Sequence, residues 1–356
     1  LLLHKLSLYG CDETVISWFT SYLTERCQQT RFGSAISDLL SILIGVSQGS
    51  VLSCILFIIF INDVVNVVQH AKIKLFADDT LIYIACKANE LEATIALLNY
   101  DLKLIYEWLC YSKLALNVNK SKAMLISSNK SLVLSHPIYL NEKAIEIVSE
   151  FKYLGIIVDS NMLFIQHFES VLKKLNSKFY VLKRSEHKLN FESKKLYVSS
   201  LVMPHFNYCA SVLFLLNDTQ INDFQKVMNR YARLMLKADY LTPRIEMLQK
   251  LNWLSVKQTI YLNTILFIHR IAIGLSPIYL QQHMIKTSSC HQYPTRRNDE
   301  YQLKNYTKAS SQNSIFYKGL KLYNEFTRYK KAKSNGTTLS TKSLAIEFVK
   351  LNYPLD

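Results

Sequence analysis

The sequence predicts an α+β chain, with its strands gathered early and its helices late. Three observations carry that expectation. The short apolar runs Lys72-Ile73-Lys74-Leu75 and Leu81-Ile82-Tyr83-Ile84-Ala85 flank Phe76-Ala77-Asp78-Asp79, the pattern of a hairpin with two carboxylates at its turn. Leu91, Ile95, Leu98, Leu102, Ile105 and Leu109 recur at alternating spacings of four and three, one apolar face of a long helix. From about residue 166 onward the apolar spacing is helical nearly throughout.

In chain order, a helix is expected around Ile16-Ser17-Trp18-Phe19, then an extended segment at Gln28-Gln29-Thr30-Arg31-Phe32. Ser47 to Ser50 reads as a turn feeding a buried core helix over about 50–67. The hairpin occupies 72–85, and the long helix packs on its sheet. Ala115 to Ser127 is expected to return as a strand. Tyr139 to Gly155 alternates strand-like pieces about a turn at Asn141-Glu142. Val171, Leu175, Phe179 and Leu182 form the apolar stripe of a further helix. Segments 192–216, 218–238 and 255–274 also read as helices, punctuated by Pro204, Pro243 and Pro277. No internal repeat or low-complexity tract interrupts this order.

Composition bounds the possibilities. The 356 residues suffice for two or three compact units, and 49% hydrophobic content with only 8 Gly and 6 Pro argues for real cores rather than disorder. Charge is unevenly divided. Residues 1–130 hold 11 Lys and Arg against 11 Asp and Glu, and residues 131–356 hold 31 against 16, so the whole net charge of +15 lies in the second part. A neutral body joined to a basic grip for nucleic acid shows this asymmetry, and a merely soluble basic surface is the competing reading. The 7 cysteines are scattered with no Cys-x-x-Cys pair, which supports neither a zinc knuckle nor a redox motif. Cys54 and Cys86 lie in apolar runs and read as core residues. Asn62, Asp63 and Asn66 interrupt the apolar stretch from Val51 to Val68 well short of the roughly 20 residues a membrane span requires. No membrane partner and no targeting signal are expected. An intracellular setting, nuclear or cytoplasmic, fits.

The adjacent carboxylates Asp78 and Asp79 repel one another, and a cation removes that cost. Mg²⁺ favours carboxylate oxygens together with substrate phosphates, so the pair suits one half of a two-metal phosphoryl-transfer site. A solvated Asp-Asp turn is the competing reading. Upstream, Gly45-Val46-Ser47-Gln48-Gly49-Ser50-Val51-Leu52 leads into the apolar run to Ile61-Asn62-Asp63. Downstream come Trp108, then Leu114-Ala115-Leu116-Asn117, Lys120-Ser121 and Met124, and later Phe151-Lys152-Tyr153-Leu154-Gly155 with Asp159-Ser160.

In order and spacing these four motifs resemble the reverse transcriptases of non-LTR retrotransposons, closest to the jockey-like elements, with weaker thumb-like similarity to about Lys333. The resemblance implies an RNA-directed DNA polymerase acting on an RNA template, a DNA primer and deoxynucleoside triphosphates, with Mg²⁺ (or Mn²⁺) as cofactor. It further implies that Asp78 bridges both metals and Asp79 assists, and that Gln48, Gly49, Phe76 and Ala77 lie against template and incoming nucleotide. Lys120 matches a late palm lysine able to neutralise the departing pyrophosphate, with a solvated lysine as its alternative. The implied organisation is a partial palm at 1–130, a primer-grip-like hairpin region at 131–165, a helical thumb at 166–285 and a basic region at 286–356.

Two basic stretches complete the candidates. Lys173, Lys174, Lys178, Lys183, Arg184 and Lys188 suit a phosphate backbone, or else a solvated helix face. In the last region Tyr293, Tyr301 and Tyr306 stand among Arg296, Arg297, Lys304 and Lys308, a composition that could stack single-stranded bases. His4, His136, His205 and His269 lack ligand spacing, and no metal is assigned to them. The chain also departs from the family pattern. It opens at Leu2-Leu3-His4-Lys5-Leu6, after the point where the family places its first metal-ligating aspartate. Asp12 and Asp63 are the nearest spare acids, and neither context suits a substitute. Ser47 replaces a usual Pro, Ser53-Cys54 a usual Gly-Pro and Ser112 a usual Asn. A truncated polymerase domain, inactive in isolation, is therefore the expectation. A catalytically dead nucleic-acid-binding remnant is the alternative.

Overall fold

The computed structural model describes residues 1–47, 49–289, 300–304, 306, 312, 314–333 and 339–354. Gln48, Tyr293, Arg296, Arg297 and Lys308 lie outside these described residues. Two compact units are present, Leu1–Phe151 and Lys152–Asp356, and the division falls inside the expected 131–165 segment. The α+β expectation holds: short antiparallel pairs and three substantial helices in the first unit, helices almost throughout the second.

In the first unit, α1 (Leu2–Leu8) and α2 (Glu13–Leu23) precede a strand arm made of β1 (Cys27–Gln28), β2 (Arg31–Phe32), β3 (Ala35–Ile36) and β4 (Leu40–Ser41). β2 pairs with β3 and β1 with β4, all antiparallel. Asp12 caps α2, accepting the Val15 N–H at 2.8 Å, which satisfies one of the orphan donors of a helix start. The expected helix over 50–67 is α3 (Val51–Ile61) followed by a 3₁₀ turn at Asn62–Asn66. It is not the fully buried helix expected. Ser53, Leu56 and Ile61 are buried, while Val51, Ile55 and Ile58 are 81%, 51% and 54% exposed. An all-apolar run has no polar face to turn outward, so one side stays bare wherever only one side is covered. Cys54 lies on that bare side and Cys86 in the loop after the hairpin. Both are exposed, correcting their assignment to the core.

The hairpin forms as expected from β5 (Lys72–Phe76) and β6 (Asp79–Tyr83), and α4 (Leu91–Tyr111) packs against it. Ile95, Leu102 and Ile105 of the predicted stripe are buried, and Leu91, Leu98 and Leu109 pack beside them. The expected strand at 115–127 shrinks to β7 (Lys122–Ala123). The Asn117 side chain accepts the Lys120 N–H at 3.2 Å and closes a 3₁₀ turn over Val118–Lys120, a local bond that competes with a sheet ladder. β8 (Tyr139–Leu140) and β9 (Lys143–Ala144) pair about the expected turn, with Asn141 and Glu142 both at positive φ as a type I′ turn requires. β10 (Glu146–Ile147) runs parallel to β7.

The division falls within β11 (Glu150–Tyr153), which pairs with β12 (Ile156–Asp159) around Leu154 and Gly155, both at positive φ. Asp159 then accepts the N–H groups of Asn161, Leu163 and Phe164 at 3.0, 3.1 and 2.6 Å and so organises the start of α5 (Ile165–Arg184). The expected helix over 192–216 is broken into α6 (Phe191–Tyr197), a π-helical turn at Val198–Val202, α7 (Pro204–Asn207) and α8 (Ala210–Leu213). Pro204 has no N–H for a continuing ladder, and Cys209 takes a left-handed φ of 48°. α9 (Asp218–Leu236), α10 (Arg244–Leu251), α11 (Val256–Ala272), α12 (Ile278–Gln281), α13 (Leu320–Lys333) and α14 (Thr341–Asn352) complete it. A single core joins Leu175, Phe206, Phe224, Ile260, Phe326 and Phe348. No described helix is long and apolar enough to cross a membrane.

Candidate active site

Phe76 pairs with Asp79, so Ala77 and Asp78 form a two-residue hairpin loop. Strand residues alternate faces. Ile73, Leu75 and Ile82 turn inward and meet Ile105 and Trp108 of α4. The opposite face carries Phe76, Asp79 and Leu81, which leaves Asp79 on the side that α4 does not cover. Phe76, Ala77, Asp78 and Asp79 are all exposed. Ala77 takes φ +51°, the sign expected at the first central position of a type II′ turn and one usually reserved for Gly. A non-glycine residue held there stores about 1–2 kcal/mol of strain.

Among the described residues, neither carboxylate has a hydrogen bond or an ion pair. Two adjacent unneutralised oxygen donors suit a hard divalent cation, which needs only one or two protein carboxylates when substrate phosphates complete its shell. No group of three or more His, Cys, Asp or Glu able to hold a metal exists among the described residues. The two spare acids are engaged elsewhere. Asp12 caps α2, and Asp63 pairs with Lys5 at 2.7 Å. The same Lys5 ammonium donates to the Phe60 carbonyl at 2.7 Å and lies 4.5 and 4.8 Å from the Phe60 and Trp108 ring centres.

Sequence reasoning missed the residue that fixes the hairpin's entry. Asp101 of α4 is fully buried and accepts the backbone N–H groups of Gln69, His70 and Ala71 at 3.1, 2.9 and 2.6 Å. Those donors immediately precede β5, so one carboxylate anchors the strand that leads to Asp78. Burial pushes its pKa up, but the three N–H bonds together outweigh burial and hold it below the usual carboxylate value. A signal was present: Asp101 stands three residues after Leu98 and four before Ile105, inside the apolar stripe, where a carboxylate is tolerated only if satisfied.

Gly49 takes φ +85° just before the α3 start, a left-handed conformation that favours glycine, with open space where a side chain would stand. The turn is tied at both ends, to α2 and to the segment just after it. Arg26 donates to the Gly45 carbonyl at 2.5 Å, and the Tyr22 hydroxyl donates to Ser50 Oγ at 3.0 Å. The hydroxyls of Ser50, Ser53 and Ser47 hold the Tyr22 pKa below its ordinary value. Lys120 is exposed in its 3₁₀ turn, and no hydrogen bond or ion pair joins its ammonium to either aspartate.

On α5 the predicted stripe is buried: Val171, Leu175, Phe179 and Leu182 are at most 7% exposed. Lys173, Lys174, Lys183 and Arg184 are exposed on its other faces, and Lys188 is exposed in the turn beyond. None of them forms an ion pair among the described residues. Lys178 differs. It is half-buried and donates to the Leu201 carbonyl and to His205 Nε2, both at 2.7 Å. Arg230 of α9, not anticipated, joins this face. Its guanidinium lies 4.1 Å from the Phe179 ring centre and donates to Asn176 at 2.8 Å. In the last region Tyr301 is buried, not offered for stacking. Its backbone exchanges two hydrogen bonds with the Asn324 side chain, at 2.9 and 2.8 Å.

Residues 1–158 match the family described as reverse transcriptase (RNA-dependent DNA polymerase). The chain is 26% identical over 227 residues to a probable RNA-directed DNA polymerase from transposon X-element of Drosophila melanogaster, covering 62% of this chain and 25% of that protein. It is 27% identical over 202 residues to the RNA-directed DNA polymerase from mobile element jockey of Drosophila funebris, covering 53% and 21%. A retrovirus-related Pol polyprotein from type-1 retrotransposable element R1 of Nasonia vitripennis is 26% identical over 182 residues, covering 48% and 43%. The chain thus spans about a quarter of the length of the first two relatives. Residues 1–158 thus carry the reverse transcriptase family's pattern, and the chain is similar to the RNA-directed DNA polymerases of the X-element and jockey non-LTR retrotransposons.

Proposed function

We propose that this chain contributes the Asp78-Asp79 carboxylates of an RNA-directed DNA polymerase, and that its basic helical unit grips the template–primer duplex. The observation that carries the proposal is the exposed pair Asp78 and Asp79 at the tip of a hairpin anchored by α4 and Asp101. Mg²⁺ or Mn²⁺ held by these two carboxylates would supply charge neutralisation and nucleophile activation for attack of a primer 3′-oxygen on a nucleotide α-phosphate. The chain's own contribution is positional. The hairpin fixes the carboxylates, Gly49 leaves room for backbone to approach a nucleotide, and α5 presents cations to phosphates. On this reading the first unit is palm-like and the helical unit thumb-like. RNA template, DNA primer and deoxynucleoside triphosphates are the partners.

Primer extension on an RNA template in Mg²⁺ tests this. In whichever form of the protein extends a primer, Asp78→Asn is expected to lower synthesis by about 10³-fold or more, since positioning and electrostatics supply most of the catalysis in phosphoryl transfer. Binding of the RNA–DNA hybrid should change less than about twofold, because a hairpin carboxylate neutralises no phosphate. Undiminished synthesis by Asp78→Asn would refute the assignment. The absence of a third ligating group among the described residues favours a second reading, a nucleic-acid binder without catalysis. Tight hybrid binding with no synthesis in either Mg²⁺ or Mn²⁺ would select it.

A further inference from the structure

The face shared by α5 and α7 holds a cluster of four basic groups, His167, Lys174, Lys178 and His205, of which the polymerase reading uses only the two lysines. Lys178 and His205 touch, Nζ to Nε2 at 2.7 Å, and both are half-exposed, so an anion from solvent can reach them. The imidazole can only accept in this contact, because the ammonium has no lone pair to offer. Lys178 spends a second proton on the Leu201 carbonyl at 2.7 Å, which holds its head in place. His167 is buried, with its Nδ1 facing the Ile157 N–H at 3.5 Å, and gaining a proton there would break that contact. Lys174 is exposed nearby. No carboxylate pairs with any of the four among the described residues. The charged and titratable groups that bear on His205 are Lys178, Lys174 and His167, all basic. Burial first, and then these neighbours, keep His205 below its ordinary pKa, and burial with Lys174 does the same for Lys178.

Four basic groups and no acid is an arrangement that lacks an anion. We propose that Lys178 and His205 form a phosphate-binding notch for the nucleic-acid backbone, in which one phosphate oxygen separates Nζ from Nε2 and His205 takes up one proton as the phosphate binds. The proton comes from solvent and adds to the Nε2 lone pair that previously accepted from Lys178. No bond to phosphorus forms or breaks. This rests on the reading of the helical unit as a nucleic-acid grip and adds to it a residue and a proton linkage. The sign follows directly. His205 has a higher pKa with phosphate present than without it, so affinity is greatest below the pKa of the free protein and declines as pH rises through that of the complex. Only His among the side chains ordinarily makes this change near neutrality.

The experiment measures binding of a rhodamine-labelled RNA–DNA hybrid to the full chain by anisotropy, from pH 6.0 to 8.5 at constant ionic strength. The wild-type affinity is expected to weaken with pH, at a slope approaching but not exceeding about tenfold per pH unit where one proton is linked. His205→Gln should flatten that slope to within about twofold across the range while keeping the salt dependence supplied by the other lysines and Arg184. Side-chain NMR gives a second measurement, in which the His205 titration moves to higher pH when hybrid is added. Binding with no pH dependence, or with a dependence that His205→Gln leaves intact, overturns the notch alone. Failure of the wild-type chain to bind hybrid at any pH overturns both the notch and the grip.

Discussion

The two units hold themselves together in different ways. In residues 152–356 one core runs from Phe168 on α5 through Phe224 on α9 to Val349 on α14. Residues 1–151 gather most of their buried apolar side chains into two small clusters, with Leu6 and Leu56 buried apart from both, and Phe32, Leu43 and Val51 stand 89%, 90% and 81% exposed. The thinly packed unit leans instead on polar staples, Asp101 under the β5 entry and Lys5 on Asp63. Charge divides the same way, with 12 basic against 14 acidic residues before residue 152 and 30 against 13 after it. The carboxylates proposed to hold metal sit on the near-neutral, sparsely covered unit, where solvent reaches them. The cations sit on the unit whose core is large enough to fix a long helix. Reach and rigidity are thus supplied by separate parts of one chain.

The largest effect expected from this contrast lies in the second unit's core. Phe224 is fully buried, with its ring 4.8 Å from Phe168 and 5.6 Å from Phe206. Phe224→Ala should destabilise that unit by about 3–5 kcal/mol, the transfer and cavity contributions together. Urea unfolding followed separately by hydrogen exchange in each unit checks this. A comparable loss of protection in residues 1–151 would show that the two unfold as one body, against the contrast drawn here.

Asp101 is the corresponding test in the first unit. Asp101→Ala leaves three backbone N–H groups without their acceptor and should cost about 3 kcal/mol, with loss concentrated in the hairpin. The folded pKa is depressed below the usual 3.8, so the carboxylate's contribution is complete above that value and disappears as pH falls through the folded pKa. Acid titration of the wild type should therefore release protection at Gln69, His70 and Ala71, and Asp101→Ala should lack that step. An identical acid transition in both proteins would remove Asp101 from its role.

These tests bear on what the sequence could disclose. The α4 stripe and the hairpin were legible because 3.6- and 2-residue periods survive in single side chains: Ile95, Leu102 and Ile105 are buried as spaced, and Ile73 faces inward opposite Ile82. The Asp78-Asp79 turn was legible because its flanking runs are apolar and its tip is not. Other features depend on what lies across the chain. Nothing near Cys54 states that only one side of α3 is covered. The 115–127 segment reads as a strand until the Asn117 side chain is seen closing a turn. Lys178 resembles its neighbours in sequence, and only the return of α7 brings His205 to it. Tyr301 looked available until Asn324 was placed beside its backbone. Periodicity reports an element's own geometry, whereas coverage, capping and partner choice are set by residues tens of positions away.

The smallest effect, and the one that most sharpens the comparison, is expected at the hairpin tip. Ala77 holds φ +51° in a two-residue loop, where glycine reaches the same conformation without a Cβ penalty. Ala77→Gly relieves that strain but gives the unfolded chain more freedom, and the two effects oppose each other. Since the strain is of order 1–2 kcal/mol and the entropic difference about 0.4–1 kcal/mol, the net gain of the first unit should lie between about 0 and 1.6 kcal/mol. Hydrogen exchange across Lys72–Tyr83 measures it directly. If the hairpin instead loses protection, Ala77 does not occupy the left-handed region in solution, and the turn presents its carboxylates in another way. If protection rises while primer extension falls, the strained turn is part of how Asp78 is aimed. That outcome would also explain why the unit with the smaller core retains a strained, non-glycine residue beside the carboxylates proposed to hold metal.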